Sequence, residues 1–178
     1  ICRTTANEAD DPSQLSITPE LDEPLRILKR NLDFLSRALS TASFRRVWHD
    51  ALDKLQDTLW NGVLLKQSFT TLGAAQFAHD GAAIFALVDR YIPGGSAALE
   101  ALREGMRLLN LPASADPAAD GKGAPAGTIT LKDASDRAFT DNDAARKVLE
   151  ELGLEALTPL NARHILQRRV ENNENIGW

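Results

Sequence analysis

Leucines spaced three and four residues apart define the first long helix that the sequence predicts. Thr18 can cap it, and Pro19 suits the first helical position, where its missing N–H costs nothing. The stripe consists of Leu21, Leu25, Leu28, Leu32, Leu35 and Leu39. Residues at these spacings share one side of an α-helix. The stripe therefore predicts a helix facing a core; a free coiled-coil helix is the alternative, although about three heptads is short for one.

Two further helices are predicted on either side of a turn at residues 68–73. The first begins after Ser43, the expected N-cap, and runs from Phe44 to about Lys66. Its apolar face consists of Phe44, Val47, Trp48, Ala51, Leu52, Leu55, Leu59, Val63 and Leu64. The second covers 74–91 and is rich in Ala and Gly. Because small side chains allow a neighbouring helix to approach closely, Gly81 is expected at a tight crossing, against the helix that carries Trp60.

The rest of the chain predicts shorter helices around a segment without large apolar residues. A fourth helix is expected over 97–109, one over 142–152 ending at Gly153, and a last one beginning at Pro159 with Leu160 facing inward. Residues 128–135 fit either an extended piece or the lead into a helix. The predicted units are a flexible acidic lead-in (1–18), a main bundle (19–111), a disordered Pro/Ala/Gly insertion (112–127) and C-terminal helices on the same bundle (128–178).

Composition agrees with an all-α fold, an antiparallel helical bundle. The 178 residues are 43% apolar but only 6% aromatic, so Leu and Ala must fill the core, as in helical proteins. The net charge of −5 argues against a dedicated nucleic-acid binder. The lone Cys2 excludes an internal disulfide, and no apolar run is long enough to span a bilayer. Because the sequence lacks an initiator Met, we expect a C-terminal or internal piece of a larger protein.

Histidine–aspartate pairs are the sharpest candidates for catalysis. His49-Asp50 and His79-Asp80 both fall on predicted helices. Helical metal-dependent phosphohydrolases of the HD type use one upstream His, a His-Asp pair and a distant Asp. His49, His79, Asp80 and Asp133 could imitate that order if they converged in space. The alternative is that Asp80 forms hydrogen bonds across a helix crossing while His79 is partly exposed.

The sequence supports other kinds of catalytic or nucleotide-binding site even less. No Gly-x-Ser-x-Gly elbow is present, and Gly-Lys-Gly at 121–123 lacks the remaining elements of a phosphate-binding loop. We therefore expect neither a cofactor nor a small-molecule substrate. One local positive cluster could form a partner surface for an acidic protein or lipid headgroups: Arg163, His164, Arg168 and Arg169. It could equally be a solvated helix end where cations offset the helix dipole.

The central stretch resembles the RINT/Tip family of vesicle-tethering subunits, in its C-terminal helical region. The residues that carry the resemblance, expected to be mostly core, are Trp48, Leu59, Trp60, Phe69, Gly73, Ala74, Ala75, Gln76 and Asp80. The stretches 109–111 and 149–154 also fit. The resemblance covers roughly residues 44–111 and 142–170, and the insertion between them departs from the family pattern.

This resemblance implies a function that the residues alone do not. Such proteins are non-enzymatic legs, built as CATCHR-like helical rods, of the endoplasmic-reticulum tether (the Dsl or NRZ complex) that captures Golgi-derived retrograde vesicles. The implied partners are the other tether subunits and ER SNAREs, without nucleic acid. The implied location is cytoplasmic and peripheral on the ER membrane, with membrane contact made through partners. A helical subunit of another tether, such as exocyst, and the HD-type hydrolase remain the alternatives.

Overall fold

Eight α-helices, one π-helical turn and one 3-10 turn make up the regular structure of the described residues, 15–113 and 128–175 of the computed structural model. The helices are α1 (Pro19–Ala38), α2 (Thr41–Leu59), α3 (Thr71–Tyr91), α4 (Glu100–Leu109), α5 (Leu131–Thr140), α6 (Asn142–Glu151), α7 (Pro159–Leu166) and α8 (Val170–Asn175). A π-helical turn, Trp60–Leu64, extends α2, and a 3-10 turn, Gly95–Leu99, leads into α4. The described residues contain no strand, which confirms the all-α prediction.

Side-chain caps determine where several helices begin. The Ser40 hydroxyl accepts a hydrogen bond from the Ser43 backbone N–H at 3.3 Å, so α2 begins three residues before the position expected from Ser43. Ser43 is therefore the third helical residue that donates to the cap, and its prediction as N-cap was wrong. Thr130 and Asp133 form a reciprocal capping box, which resolves the ambiguity at residues 128–135 in favour of a helix, α5.

The core runs through α3 and α4, and helices from both halves of the chain pack on it. Val88 of α3 and Leu102 of α4 are fully buried, as are Ile165 and Leu166 of α7. Leu160, which was expected to face inward, is 57% exposed instead. The spacing of α7 explains the difference, because its inner side is already formed by Ala162, Ile165 and Leu166, and Leu160 falls on the opposite side.

Two glycines allow close approach to α4, and one prediction about them needs correction. A Cβ on Gly81 would lie 2.5 Å from Sδ of Met106, so Gly81 faces α4 and not the helix carrying Trp60. Trp60 lies instead against Gly105, whose added Cβ would be 3.2 Å from the Trp60 ring and 2.8 Å from Leu64 Cδ2. The sequence correctly predicted that Gly81 lies at a tight helix crossing, but it did not indicate that the neighbouring helix is α4.

Gly81→Leu is expected to lower the free energy of unfolding by about 1–3 kcal/mol, because a branched side chain must displace Met106. Gly62→Leu is the matched control, since nothing lies within 4 Å of a Cβ added there. Thermal melting of both variants checks this. Equal melting temperatures for the two would place Gly81 outside a packed crossing.

Candidate interaction surface

Gln76 and Asp80 of α3 fix the chain where it enters α1. Asp80 Oδ1 accepts a hydrogen bond from the Thr18 backbone N–H at 2.9 Å, and the Thr18 hydroxyl donates to Oδ2. Gln76 Nε2 donates to the Ser16 carbonyl at 2.9 Å and to Asp80 Oδ1 at 3.0 Å. Asp80 is therefore a hydrogen-bond anchor across a helix crossing, and His79 beside it is exposed, as one of the two interpretations expected.

Phe69 fixes the C-terminal part of the described chain to the loop before α3. Its side chain is 4% exposed and its ring centroid lies 5.5 Å from that of Phe77. Its backbone N–H donates to the Arg168 carbonyl at 2.7 Å, and its carbonyl accepts from the Val170 N–H at 3.0 Å. These two bonds form an isolated parallel bridge with Arg169. The loop before α3 is thereby tied to the segment between α7 and α8.

Arg169 is a buried connector and does not belong to an exposed surface. Its side chain is 1% exposed, so its prediction as part of a partner surface was wrong for this residue. The guanidinium donates to the Leu109 carbonyl at 2.6 Å, to the Thr71 hydroxyl at 2.9 Å and to Glu171 Oε2 at 3.0 Å. It thus joins the end of α4, the start of α3 and α8. Its partners Leu109 and Thr71 are distant in sequence, and the Glu171 carboxylate two residues away balances its charge.

The same network lowers the pKa of Glu171. Burial raises this pKa, but hydrogen bonds from Arg169 and Thr71 outweigh burial and bring it down to about 2 from an ordinary value of 4.5. A carboxyl whose pKa is lower in the folded state stabilises the fold when ionised. This contribution is complete above pH 4.5 and is lost as the pH falls toward 2.

We expect acid titration to reveal that contribution as a loss of about 2 kcal/mol in the free energy of unfolding. The figure is discounted from the full shift because the Glu171 side chain is 32% exposed. Urea unfolding between pH 4.5 and pH 2 measures it, and Glu171→Gln should flatten this part of the profile. An unchanged profile in that variant would show that other carboxyl groups cause the acid dependence.

The remaining residues of the resemblance lie mainly inside the bundle. Trp48 is 5% exposed and meets Phe44 edge to face at 5.9 Å, with its Nε1 unpartnered among the described residues. Ala74 is fully buried, and the Gly73 N–H donates to the capping Thr70 hydroxyl at 3.1 Å. Three are half-buried: Leu59, Trp60 and Ala75. None of these side chains presents a reactive group to solvent.

The four residues of the metal hypothesis do not converge. His49 is exposed on α2, with Nδ1 3.2 Å from Asp53, whereas Asp80 binds Thr18 and Asp133 belongs to the cap of α5. Across residues 15–113 and 128–175, no group of three or more His, Cys, Asp or Glu side chains could hold a metal ion. The described part of the chain gives an HD-type site no support.

Exposed apolar side chains accompany the rest of the predicted basic cluster. Leu160 precedes Arg163 and His164 by one helical turn and is 57% exposed, and Phe139 at the end of α5 is 41% exposed. Arg163 Nε donates to the Ala138 carbonyl at 2.6 Å, which ties α7 to the end of α5. His164 is exposed and Arg168 half-buried. We call these five side chains the α5–α7 patch: Phe139, Leu160, Arg163, His164 and Arg168.

Comparison with known families decides which group of proteins this chain is part of. The model of the RINT-1/TIP-1 family matches residues 3–169. The chain belongs to the RINT-1/TIP-1 family. The match is longer than the resemblance seen in the sequence, since it includes α1 and spans the insertion. Neither a curated protein nor a solved structure matches this RINT-1/TIP-1 chain significantly.

Family membership confirms the resemblance and indicates a general role. RINT-1/TIP-1 proteins are subunits of a multi-subunit tethering complex, and the family indicates vesicle tethering in ER transport. It is not known as a family of enzymes. Among the described residues of this RINT-1/TIP-1 chain, no helix combines the length and apolar character needed to cross a membrane.

Proposed function

We propose that this chain is a non-enzymatic module of the ER tether for Golgi-to-ER retrograde vesicles. It binds other tether subunits and ER SNAREs, and it is cytoplasmic and peripheral on the ER membrane, with membrane contact made through those partners. The observation that carries the proposal is the RINT-1/TIP-1 match over residues 3–169. Because a tethering subunit acts by binding partner proteins, it needs a rigid fold with accessible binding surfaces.

The hydrogen bonds of the buried polar groups support this interpretation. Asp80 fixes the entry to α1, and Arg169 joins α3, α4 and α8. Glu104, 4% exposed, accepts from the backbone N–H groups of Glu155 and Ala156. Each of these charged groups is used to connect segments distant in sequence. Their roles are those of a scaffold.

The α5–α7 patch is the surface we propose for a SNARE. Leu160 and Phe139 offer apolar area that association could bury, and Arg163 and Arg168 offer positive charge beside it, with the exposed His164 next to Arg163. Exposed apolar side chains surrounded by polar groups are typical of protein-binding sites, and flanking charges select partners of opposite sign. The preferred segment would therefore be acidic with an apolar side.

Pull-down with purified SNARE cytoplasmic regions tests both parts of the proposal. ER SNAREs should bind this protein, whereas plasma-membrane SNAREs should not. The double variant Leu160→Ala/His164→Glu should reduce capture roughly tenfold or more, because it removes an exposed anchor and adds a negative charge beside the arginines. Val47→Ala/Arg46→Glu on α2 is the matched control, with one exposed apolar and one exposed basic residue.

Three outcomes separate the alternatives. Selective capture of ER SNAREs that the α5–α7 variant loses and the α2 control keeps supports the tether and its surface together. Selective capture of plasma-membrane SNAREs would indicate another tether, such as exocyst. If both variants capture ER SNAREs as well as the unchanged protein, the tethering role is supported and the α5–α7 patch is refuted as the SNARE-binding surface.

A further inference from the structure

The outer side of α1 carries apolar side chains that no described element covers. Phe34 is 68% exposed, the largest exposure among the described large apolar side chains, and Ile27 is 40% exposed seven residues earlier. Both lie on the side of α1 away from its fully buried Leu32. Because seven residues make almost two helical turns, Ile27 and Phe34 follow one another along the same outer face.

Two arginines alternate with these apolar residues. Arg30 lies between Ile27 and Phe34, and Arg37 follows one turn later; both are exposed and pair with no carboxylate among the described residues. Asp33 lies between them, but it also lies 3.9 Å from Lys29 Nζ and accepts a hydrogen bond from the Tyr91 hydroxyl at 2.7 Å, so one carboxylate is shared among three cations. In a chain of net charge −5, this is a local excess of positive charge.

The surface is also slightly concave. Arg30, Asp33, Phe34, Arg37 and Ala38 line a cleft of about 390 Å³ along α1. All five lining residues belong to α1, so the cleft is open to solvent: it can accept side chains of a partner but cannot enclose a small ligand. We define the α1 face as Ile27, Arg30, Phe34 and Arg37.

We infer that the α1 face binds an acidic helical segment of a partner protein, which places an apolar side chain on Phe34 and carboxylates on Arg30 and Arg37. The two arginines are seven residues apart, so their Cα atoms are separated by about 10.5 Å along the helix. A partner helix lying alongside α1 matches this spacing when an apolar residue stands between acidic residues three or four positions away on each side. Bidentate arginine–carboxylate pairs then set its register.

Charge distinguishes this occupant from two others. An anionic membrane would meet two arginines beside the fixed Asp33 carboxylate on a protein of net charge −5, which is less than a polybasic surface requires. A second copy docked through the same face in antiparallel fashion would bring Arg30 against Arg37. An acidic helix meets the same Asp33 carboxylate, but it brings only a few carboxylates and can place them singly on Arg30 and Arg37, with its apolar side chain between them.

This inference goes beyond the proposed function. The α1 face lies on a different helix from the α5–α7 patch, and the proposed contact is the same whichever membrane the protein serves. A second protein contact on a separate helix would let the module hold two partners at once.

The test uses a fluorescein-labelled, hydrocarbon-stapled peptide with a central Leu and a Glu at the third or fourth position on each side. Fluorescence anisotropy with the whole protein gives its Kd. Phe34→Ala and Arg30→Glu/Arg37→Glu should each raise the Kd roughly tenfold or more, and added salt should raise it further. Val47→Ala/Arg46→Glu should leave it unchanged, as should Leu160→Ala/His164→Glu.

Melting temperatures show that each variant is folded; the changed side chains are exposed, so these should stay close to that of the parent protein. The same peptide with Lys in place of Glu should not bind. Loss of binding confined to the α1-face variants supports the inference. The inference would be overturned if the acidic peptide does not bind, or if it binds equally well to the α1-face variants. It would also be overturned if the protein binds phosphatidylcholine–phosphatidylserine vesicles but not the peptide. None of these results depends on ER SNARE capture, so the two proposals fail separately.

Discussion

Arg169→Met should lower the free energy of unfolding by about 3–5 kcal/mol, the largest effect we expect from a single change. Methionine matches the aliphatic stem of arginine but does not extend to the guanidinium position and donates no hydrogen bond. The Leu109 carbonyl and the Thr71 hydroxyl would lose the guanidinium as donor, and the partly buried Glu171 carboxylate would lose its neighbouring cation while keeping its hydrogen bonds from Thr71. An uncompensated charge and buried acceptors together cost more than the hydrogen bonds themselves contribute. Urea unfolding followed by far-UV circular dichroism measures the loss.

The neighbouring arginine supplies the control. Arg168 is half-buried and its Nε has no hydrogen-bond partner among the described residues. Arg168→Met is therefore expected to change the free energy of unfolding by less than about 1 kcal/mol. Similar losses in the two variants would contradict the connector role of Arg169. Lys at position 169 should rescue only part of the stability, because an ammonium group cannot reproduce the fork of donors.

Glu104→Leu should lower the free energy of unfolding by about 2–4 kcal/mol. Oε1 of Glu104 accepts from the Glu155 N–H at 3.0 Å and Oε2 from the Ala156 N–H at 2.7 Å, in the connection between α6 and α7. Leucine would leave two backbone donors unpaired beside a buried site, each costing about 1–3 kcal/mol if water does not reach it. Glu104→Gln should cost less, since one acceptor oxygen remains.

Glu100 on the same helix is the matched control. Its carboxylate lies 3.2 Å from Arg103 and is 42% exposed, so Glu100→Leu should cost less than about 1 kcal/mol. The two series of unfolding curves decide the matter. Equal effects at positions 104 and 100 would mean that the α6–α7 connection is held by packing alone.

Sequence periodicity predicted the long helices because their local and tertiary requirements agree. The leucine stripe of α1 and the apolar residues of α3 each form one face of a single helix. Such a face can be recognised from residues close together in sequence. The start of α2 was misplaced because Ser40 and Ser43 are both good caps, and only the actual hydrogen bond distinguishes them. Leu160 was misjudged because one apolar residue in a first turn is compatible with either side of the helix.

The structural roles of Arg169 and Glu104 could not be read from the sequence. Arg169 donates to atoms 60 and 98 residues away, and Glu104 accepts from N–H groups 51 and 52 residues away. No local pattern contains such partners. The exposure of Phe34 could be only weakly inferred from the sequence. Phe34 lies outside the leucine stripe, but an aromatic residue beside such a stripe is also compatible with burial against another helix.

The resemblance seen in the sequence identified the family through residues that are mostly structural. Trp48, Phe69 and Ala74 are buried, and Asp80 anchors the entry to α1. The surfaces we propose for partners, the α1 face and the α5–α7 patch, contain none of these residues. Variants of the structural residues should therefore act through stability, and variants of the two surfaces through binding at unchanged stability.

Retrieval of a Golgi-to-ER cargo in cells tests the proposed tethering role. The protein is depleted and replaced by its unchanged form or by the Leu160→Ala/His164→Glu variant, and the return of a fluorescent retrieval reporter to the ER is timed. We expect that depletion slows retrieval, that the unchanged protein restores it, and that the variant restores it only poorly at equal abundance. Retrieval at a normal rate after depletion, with fusion at the plasma membrane blocked instead, would contradict a role at the ER.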